Sequence, residues 1–222
     1  MTYRLCDLGC GAGGASAGYA QAGFEVFGVD IVEQPHYPFT FMQFDMTAIT
    51  PLWLTQNFDA VSVSPPCQGY SVTRHFQPDV AARYPRLIEP VRELLKASGL
   101  PYVIENVVGA PLVNPVWLCG CHFDLHAYFN GYRYELRRLR GFETNWHLES
   151  IDYHWHTARS IPVFGNGCPG NRPDLRGLGY AQASRDAMGI QWMNRDELDE
   201  AIPPAYTRYV GNYLENHLDH NV

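Results

Sequence analysis

Five short apolar stretches, most of them ending on an acidic or small polar residue, divide the first half of the chain. The first, 3–8, is strand-like and ends at Asp7 and Leu8; glycines follow at 9, 11, 13 and 14, and Ala15 to Ala22 suits a helix. The stretches 24–30 (FEVFGVD), 39–45 (FTFMQFD), 58–64 (FDAVSVS) and 101–107 (PYVIENV) predict four more strands, with a helix over about 86–98 before the last. Strands alternating with helices imply an α/β fold built on a parallel sheet, with ligands at the carboxyl ends of its strands. The glycines, Asp30, Asp45, Cys67 and Glu105 all fall at such ends. Each alone reads as a capping aspartate or a turn glycine; together on one edge they are harder to dismiss. Near the other terminus, Asn194 with Glu197 predicts a capping box. Pro203 and Pro204 then open a last helix in which Tyr206, Tyr209, Val210, Tyr213, Leu214 and His217 recur at helical spacing.

Composition narrows the class. The 222 residues are 46% hydrophobic and 18% charged, enough for one sizeable core with a small appendage. A net charge of −7 argues against a polybasic nucleic-acid binder but leaves room for a local basic face. No apolar run is long enough to span a bilayer, and "MTYRLCDLGCGAGG" is not a signal peptide. The six cysteines therefore read as reduced thiols in a cytoplasmic protein with no membrane partner.

The candidate chemistry centres on "VSVSPPCQGYSV", 61–72, where a strand runs into two prolines, Cys67, Gln68 and Gly69. A free cysteine at such a corner is commonly a buried thiol. The alternative is a nucleophile, which needs neighbours that lower its pKa or take its proton. Glu105 and Asn106 end the strand expected beside it. In "YRYELRRLRGFETNW", 132–146, extended backbone would put Arg138 and Arg140 on one face and Arg137 on the other. A thiol, a carboxylate and two guanidiniums suit attack on an electron-poor heterocycle; a solvated charged strand edge fits the arginine run equally well.

These blocks, in this order, resemble the DNA cytosine-5 methyltransferases: "DLGCGAGGASAGYAQAGF", "SPPCQGYS", "ENV", the Arg-x-Arg of "LRRLRGFET", and "LDEAIPPAYTRYVG" near the end. The closest flavour is that of small phage-encoded members. The resemblance implies a class I S-adenosylmethionine-dependent methyltransferase sheet, Rossmann-like, with a small irregular target-recognition insertion. It divides the chain into a catalytic and cofactor-binding domain (1–146), a reduced recognition region (147–180) and C-terminal helices packing back (181–222). It implies S-adenosylmethionine held by Asp7, Leu8, Gly9, Gly11, Gly13, Gly14, Asp30, Ile31, Asp45, Met46, Pro66 and Ala201. Asp30 would take the ribose and Asp45 the adenine amino group. Cys67 would add to C6 of a flipped cytosine, Glu105 would hold N3 and the exocyclic amine, and Arg138 and Arg140 would sit near O2. Gln68, Ser71, Arg159, Arg172 and Arg176 would contact double-stranded DNA, and the protein would act as a monomer.

Four departures qualify the resemblance. Gly9 stands where the family carries an aromatic against the adenine, and Leu136 where a glutamine is common. Asp199-Glu200 replaces a Gly-Asn; a carboxylate there fits either a favoured sulfonium or an altered donor. The recognition region is short, which implies a recognition sequence on the order of two base pairs, or broad modification. Cys119, Cys121, His122 and His126 invite a zinc hypothesis that His154 and His156 could complete. The spacing matches no strong zinc pattern, so local packing without metal is the expectation. Three rival functions stay open: an RNA-directed relative with the same chemistry, an inactive nucleic-acid-binding module, and a small-molecule methyltransferase.

Overall fold

The computed structural model describes residues 2–70, 84–156, 159–163, 175 and 179–221. Its spine is a seven-stranded sheet in the order β3-β2-β1-β4-β5-β9-β6. The first five are the predicted strands: β1 (Arg4–Leu8), β2 (Glu25–Asp30), β3 (Thr40–Gln43), β4 (Ala60–Val63) and β5 (Tyr102–Asn106). They pair in parallel, and the order steps outward in both directions from β1 and β4, which leaves a crevice where the winding reverses. Two further strands, β6 (Val116–Leu118) and β9 (Arg140–Thr144), close the far side antiparallel, with Glu105 opposite Phe142 and Leu118 opposite Arg140.

Each face of the sheet has its own core. On one, Cys6, Leu8, Val29, Val61, Val63 and Ile104 pack beneath Leu54 of α2 (Pro51–Asn57) and Val91 and Leu95 of α3 (Ile88–Ser98). On the other, Leu5, Val26, Val103 and Phe142 meet Tyr19 of α1 (Gly14–Gln21) and Tyr206, Val210 and Leu214 of the last helix, Pro204–Asn221. That helix approaches α1 closely because both carry glycine at the crossing. A Cβ on Gly18 would stand 2.0 Å from Thr207 Oγ1, and one on Gly211 would stand 2.7 Å from the Ala22 Cβ. Thr207 Oγ1 donates to the Ala15 carbonyl at 2.8 Å, so a polar group crosses the joint satisfied.

A second, three-stranded sheet, β10-β8-β7, sits beside the first. Its hairpin, β7 (His126–Phe129) and β8 (Tyr132–Leu136), turns through Asn130 and Gly131, both at positive φ, a pairing that favours the tight turn antiparallel strands need. β10 (Ser160–Ile161) joins β8 in parallel, and α4 (Tyr180–Met188) covers the sheet through Ala183, Ala187 and Met188. This small core draws on residues from both sides of the expected boundaries at 146 and 180. The short helix α5 (Arg195–Glu200) begins with the predicted capping box: Asn194 Oδ1 accepts from Glu197 N at 3.1 Å, and Asn194 N donates to Glu197 Oε2 at 2.8 Å. The last helix is α6.

Candidate active site

The glycine corner after β1 is shaped by what surrounds it. Gly9, Gly11 and Gly13 all hold left-handed φ, which costs other residues steric strain. At Gly9 there is also no room: a Cβ would lie 2.6 Å from the Ser64 carbonyl and 2.9 Å from the Met46 Cε. Glycine there lets the carboxyl ends of β1 and β4 approach each other, which an aromatic side chain would forbid. Gly11 faces open space on its Cβ side, so a ligand can lie against the backbone. From behind, Ala201 Cβ and the Ile202 carbonyl abut Gly14, and Trp192 Nε1 donates to the Ala12 carbonyl at 2.9 Å. The C-terminal block thus backs the first, as its sequence suggests.

Acidic residues line this corner at different depths. Asp30 holds the loop with Oδ2 accepting from Gly11 N at 3.0 Å and Oδ1 from Val32 N at 3.1 Å. Ile31, next to it, is 62% exposed. Asp45 caps a short turn, with Oδ1 accepting from the Thr47 amide and hydroxyl at 2.8 Å each, while the described hydrogen bonds leave its Oδ2 free. Asp7 is fully buried, as is Leu8, and both lie beneath the corner. Ser16 Oγ donates to Asp7 Oδ2 at 2.5 Å, and burial pushes the Asp7 carboxyl up to about 7. Tyr37, absent from the sequence-based set, lies against Gly13 and Gly28 with its hydroxyl 2.8 Å from Ser16 Oγ. In the tail, Asp199 turns away to Arg195 Nε at 3.2 Å, whereas Glu200 is exposed and raised, by desolvation first and by Asp30 second. Glu200 is therefore the carboxylate that shares the Asp30 side of the corner.

Two strands along, the predicted catalytic set assembles. Pro65, Pro66 and Cys67 leave the end of β4, and the Tyr70 amide donates to the Cys67 carbonyl at 2.9 Å, closing a turn around the thiol. Asn106 Nδ2 donates to the Pro65 carbonyl at 2.9 Å, tying the end of β5 to the cysteine loop. It is a positioning contact that sequence inspection names without assigning. Glu105 is 6% exposed, and its Oε1 stands 3.2 Å from Arg140 Nε. The arginine segment is a link between β8 and β9 with one arginine inside: Arg137 is exposed, Arg138 buried and Arg140 half-buried. Arg138 donates to the carbonyls of Val163 and, at 2.8 Å, Asp199, while its Nε has no partner among the described residues. Tyr206 Oη donates to the Arg138 carbonyl at 2.7 Å.

The electrostatics follow from burial opposed by these charges. Desolvation raises Cys67, while Arg140 and then Arg138 pull it down. Desolvation also raises Glu105 against the same two arginines. Arg138 is pushed down to about 9 by burial and by Arg140. It stays cationic at neutral pH. Two guanidiniums stand beside the thiol against the Glu105 and Glu200 carboxyls, and they are the groups there that favour an incoming or developing anion.

Residues 3–110 match the family model of C-5 cytosine-specific DNA methylases. Over those residues, just under half of its length, the chain carries the sequence pattern of that family. The match takes in the glycine corner, Cys67 and Glu105, and ends before the strand that carries Arg140. No curated protein sequence matches the chain significantly. Among solved structures it is similar to a candidate DNA modification methyltransferase encoded within an E. coli prophage, at 14% identity and a TM-score of 0.64, covering 98% of this chain and 100% of that one. It is also similar to the S. pombe Dnmt2 methyltransferase (14%, TM-score 0.59, 99% and 100% covered) and to the Entamoeba histolytica methyltransferase EhMeth (12%, TM-score 0.60, 98% and 99% covered). At such identities these show the methyltransferase fold.

The DNA-contact residues are less gathered. Gln68 sits beside the thiol, half-buried, with Oε1 unpartnered among the described residues. Arg159 is exposed on the small sheet with its guanidinium 3.5 Å over the Tyr132 ring. Ser71, Arg172 and Arg176 lie outside the described residues.

Proposed function

We propose that this methyltransferase places a methyl group from S-adenosylmethionine on C5 of a cytosine flipped out of duplex DNA, through a covalent bond between Cys67 and C6. The observation that carries this reading is the joining of Cys67, Glu105, Arg138 and Arg140 beside a glycine corner open to a ligand. The corner fits such a donor. Asp30 keeps a lone pair on each oxygen for ribose hydroxyls, and Asp45 Oδ2 is free for an amino group. The exposed Ile31 offers an apolar surface to a flat base, while Asp30 and Glu200 bring negative charge toward a cationic sulfur. Gly9, Gly11, Gly13, Gly14, Met46, Pro66 and Ala201 complete the walls, with Asp7 and Leu8 beneath. Bound there, S-adenosylmethionine supplies an electrophilic methyl group.

The chain's own residues do the rest. A cytosine stacked in a duplex hides C5 and C6, so the base must leave the stack. Glu105, raised by burial, can present a proton to N3 and accept from the exocyclic amine, drawing electrons away from C6. In this reading Arg140 meets O2, and Arg138 holds the strand link beneath it. The Cys67 thiolate adds to C6, which makes C5 nucleophilic toward the methyl carbon. Loss of the C5 proton then lets the C6–S bond break, returning the thiolate and the aromatic ring. Asn106, through Pro65, fixes where the sulfur stands, and a misplacement of about 1 Å can cost on the order of a hundredfold in rate.

Gln68, Ser71, Arg159, Arg172 and Arg176 would meet the DNA around the flipped base, within a short recognition sequence. The protein would act as a monomer in the cytoplasm. Protection of phage DNA from restriction accords with the small recognition region and the prophage relative. The test is product analysis: purified protein, S-adenosylmethionine and unmodified duplex DNA, digested to nucleosides and read by mass spectrometry, with structured RNA in parallel. A 5-methylcytidine signal from RNA alone would transfer the activity to RNA. A methylated small molecule with both polymers untouched would contradict a polynucleotide substrate.

A further inference from the structure

Outside the cytosine site, the structure draws together four soft ligands whose sequence spacing fits no common metal motif. β6 ends at Leu118, opposite Arg140 of β9, and the next residue, Cys119, caps the short turn Gly120–Phe123 that carries Cys121. His154 and His156 come from the irregular segment 151–156, inside the first part of the recognition region. One ligand atom from each of these four side chains lies within 4.8 Å of all the others. The two Nε2 atoms are 3.0 Å apart, and Cys119 Sγ is 3.7 Å from His156 Nε2. Tetrahedral zinc, with Zn–N of about 2.05 Å and Zn–S of about 2.3 Å, separates two nitrogens by about 3.3 Å and a nitrogen from a sulfur by about 3.6 Å. The cluster stands close to that geometry, and the widest pair needs a closure of about 1 Å to reach it.

The surroundings argue against packing as the reason for the cluster. In an extended segment residues two apart share a face, so His-Trp-His puts both imidazoles on one side and the tryptophan on the other. Here Trp155 is 74% exposed and Tyr153 57% exposed, while His156 is half-buried beside Cys119 and the more exposed His154 keeps its Nε2 3.0 Å from that of His156. A segment held by apolar burial would do the reverse. Beside His156, Glu135 Oε2 stands 3.8 Å from Nδ1, on the side from which a carboxylate can orient a ligating imidazole once the two close to hydrogen-bond distance. His122, the third histidine nearby, is engaged differently, its Nδ1 accepting from Cys119 N at 3.3 Å.

We propose that Cys119, Cys121, His154 and His156 bind one zinc ion, a closed structural site that fastens the first part of the recognition region to the end of β6, beside the strand carrying Arg140. Two thiolates and two imidazoles in tetrahedral array select zinc over harder cations, and four protein ligands leave no open position for catalysis. The site makes the placement of the recognition region depend on metal, independently of which polymer is methylated.

The full chain, expressed with added zinc and purified under reducing conditions, is assayed for metal by mass spectrometry after dialysis. One zinc per chain is expected. Exchange with cobalt should give the intense visible bands of a tetrahedral, thiolate-bound ion. Cys119→Ser with Cys121→Ser, and separately His154→Ala with His156→Ala, should lower zinc at least tenfold, whereas Cys10→Ser should retain it. A wild-type chain that carries no zinc and gives no tetrahedral cobalt spectrum overturns the proposal, even if the variants fail to fold. So does zinc retained in both double variants, or a reduced preparation lighter by two hydrogens with Cys119 joined to Cys121.

Discussion

Two arginines in this molecule are equally buried, each 3% exposed, and their surroundings differ completely. Arg92, on α3, meets Glu143 of β9 through both carboxylate oxygens, at 2.6 and 2.8 Å, adds the Pro111 carbonyl at 2.7 Å, and reaches Glu89 at 2.6 Å. Its guanidinium is raised, first by Glu143. Arg138 has no matched carboxylate: it donates to two carbonyls, leaves Nε without a described partner, and shares its surroundings with another cation, Arg140. A buried charge is expensive unless paired. The Arg92 pair is complete and joins a helix to a strand. The Arg138 guanidinium has no carboxylate hydrogen-bonded to it among the described residues, and it borders the thiol. In the proposed mechanism it faces the Cys67 thiolate and the electron density moving toward O2.

The comparison predicts opposite profiles for the two residues. Arg140→Ala or Arg138→Met should lower turnover by a hundredfold or more, the scale of losing one preorganised cationic or hydrogen-bonding group. For Arg138→Met stability should fall by less than about 2 kcal/mol, because only carbonyl partners are released, whereas Arg140→Ala also strands the Glu105 carboxyl and should cost more. Urea denaturation beside steady-state methyl transfer measures both. Arg92→Leu should cost roughly 3–5 kcal/mol of stability by leaving the buried Glu143 charge without its cation, yet leave turnover per folded molecule within a few fold. Arg92→Leu with Glu143→Leu should recover most of that loss, since a well-packed apolar pair can replace a buried ion pair. A double variant as unstable as the single would show that the joint depends on the hydrogen bonds to Pro111 and Val113 rather than on charge balance.

A smaller effect concerns pH. Arg140 lowers the Cys67 pKa, so removing it should move the alkaline limb of thiol alkylation at Cys67 to higher pH. An unchanged limb would mean that Arg140 does not act on the sulfur. Beneath the glycine corner, the Asp7 carboxyl rises from 3.8 to about 7 on folding. Between those values the folded state holds a proton that the unfolded state has released, so stability should fall as pH rises through that window and level off above it. Asp7→Asn keeps a group that can bond Ser16 and should flatten the slope.

The parallel half of the fold was legible because its strands are continuous apolar runs that end in polar residues, and because the capping box at Asn194 is a local signal. The antiparallel additions were less so. β6 has three residues, and β10 two; neither is long enough to show a period. The hairpin did carry a signal, Asn130-Gly131 between aromatic runs, which marks the turn without naming the sheet it joins. In the candidate site, Cys67 and Glu105 stood out by type and position at strand ends. Asn106, Tyr37 and the contrast between Asp199 and Glu200 did not, since each depends on contacts distant in sequence. The Cys119 cluster shows the same limit, with its ligands drawn from two separate stretches by pairing that spacing alone does not encode.

The central claim is that Cys67 bonds to C6 and that release requires a proton to leave C5. Duplex DNA with 5-fluorocytosine in place of cytosine tests it directly, because fluorine at C5 cannot leave as a proton does. With S-adenosylmethionine present, the protein should form a methylated adduct that survives denaturation, maps by peptide mass spectrometry to Cys67, and is absent in Cys67→Ser. Turnover of ordinary cytosine DNA with no adduct on the fluorinated duplex, or an adduct on any other residue, would contradict the account.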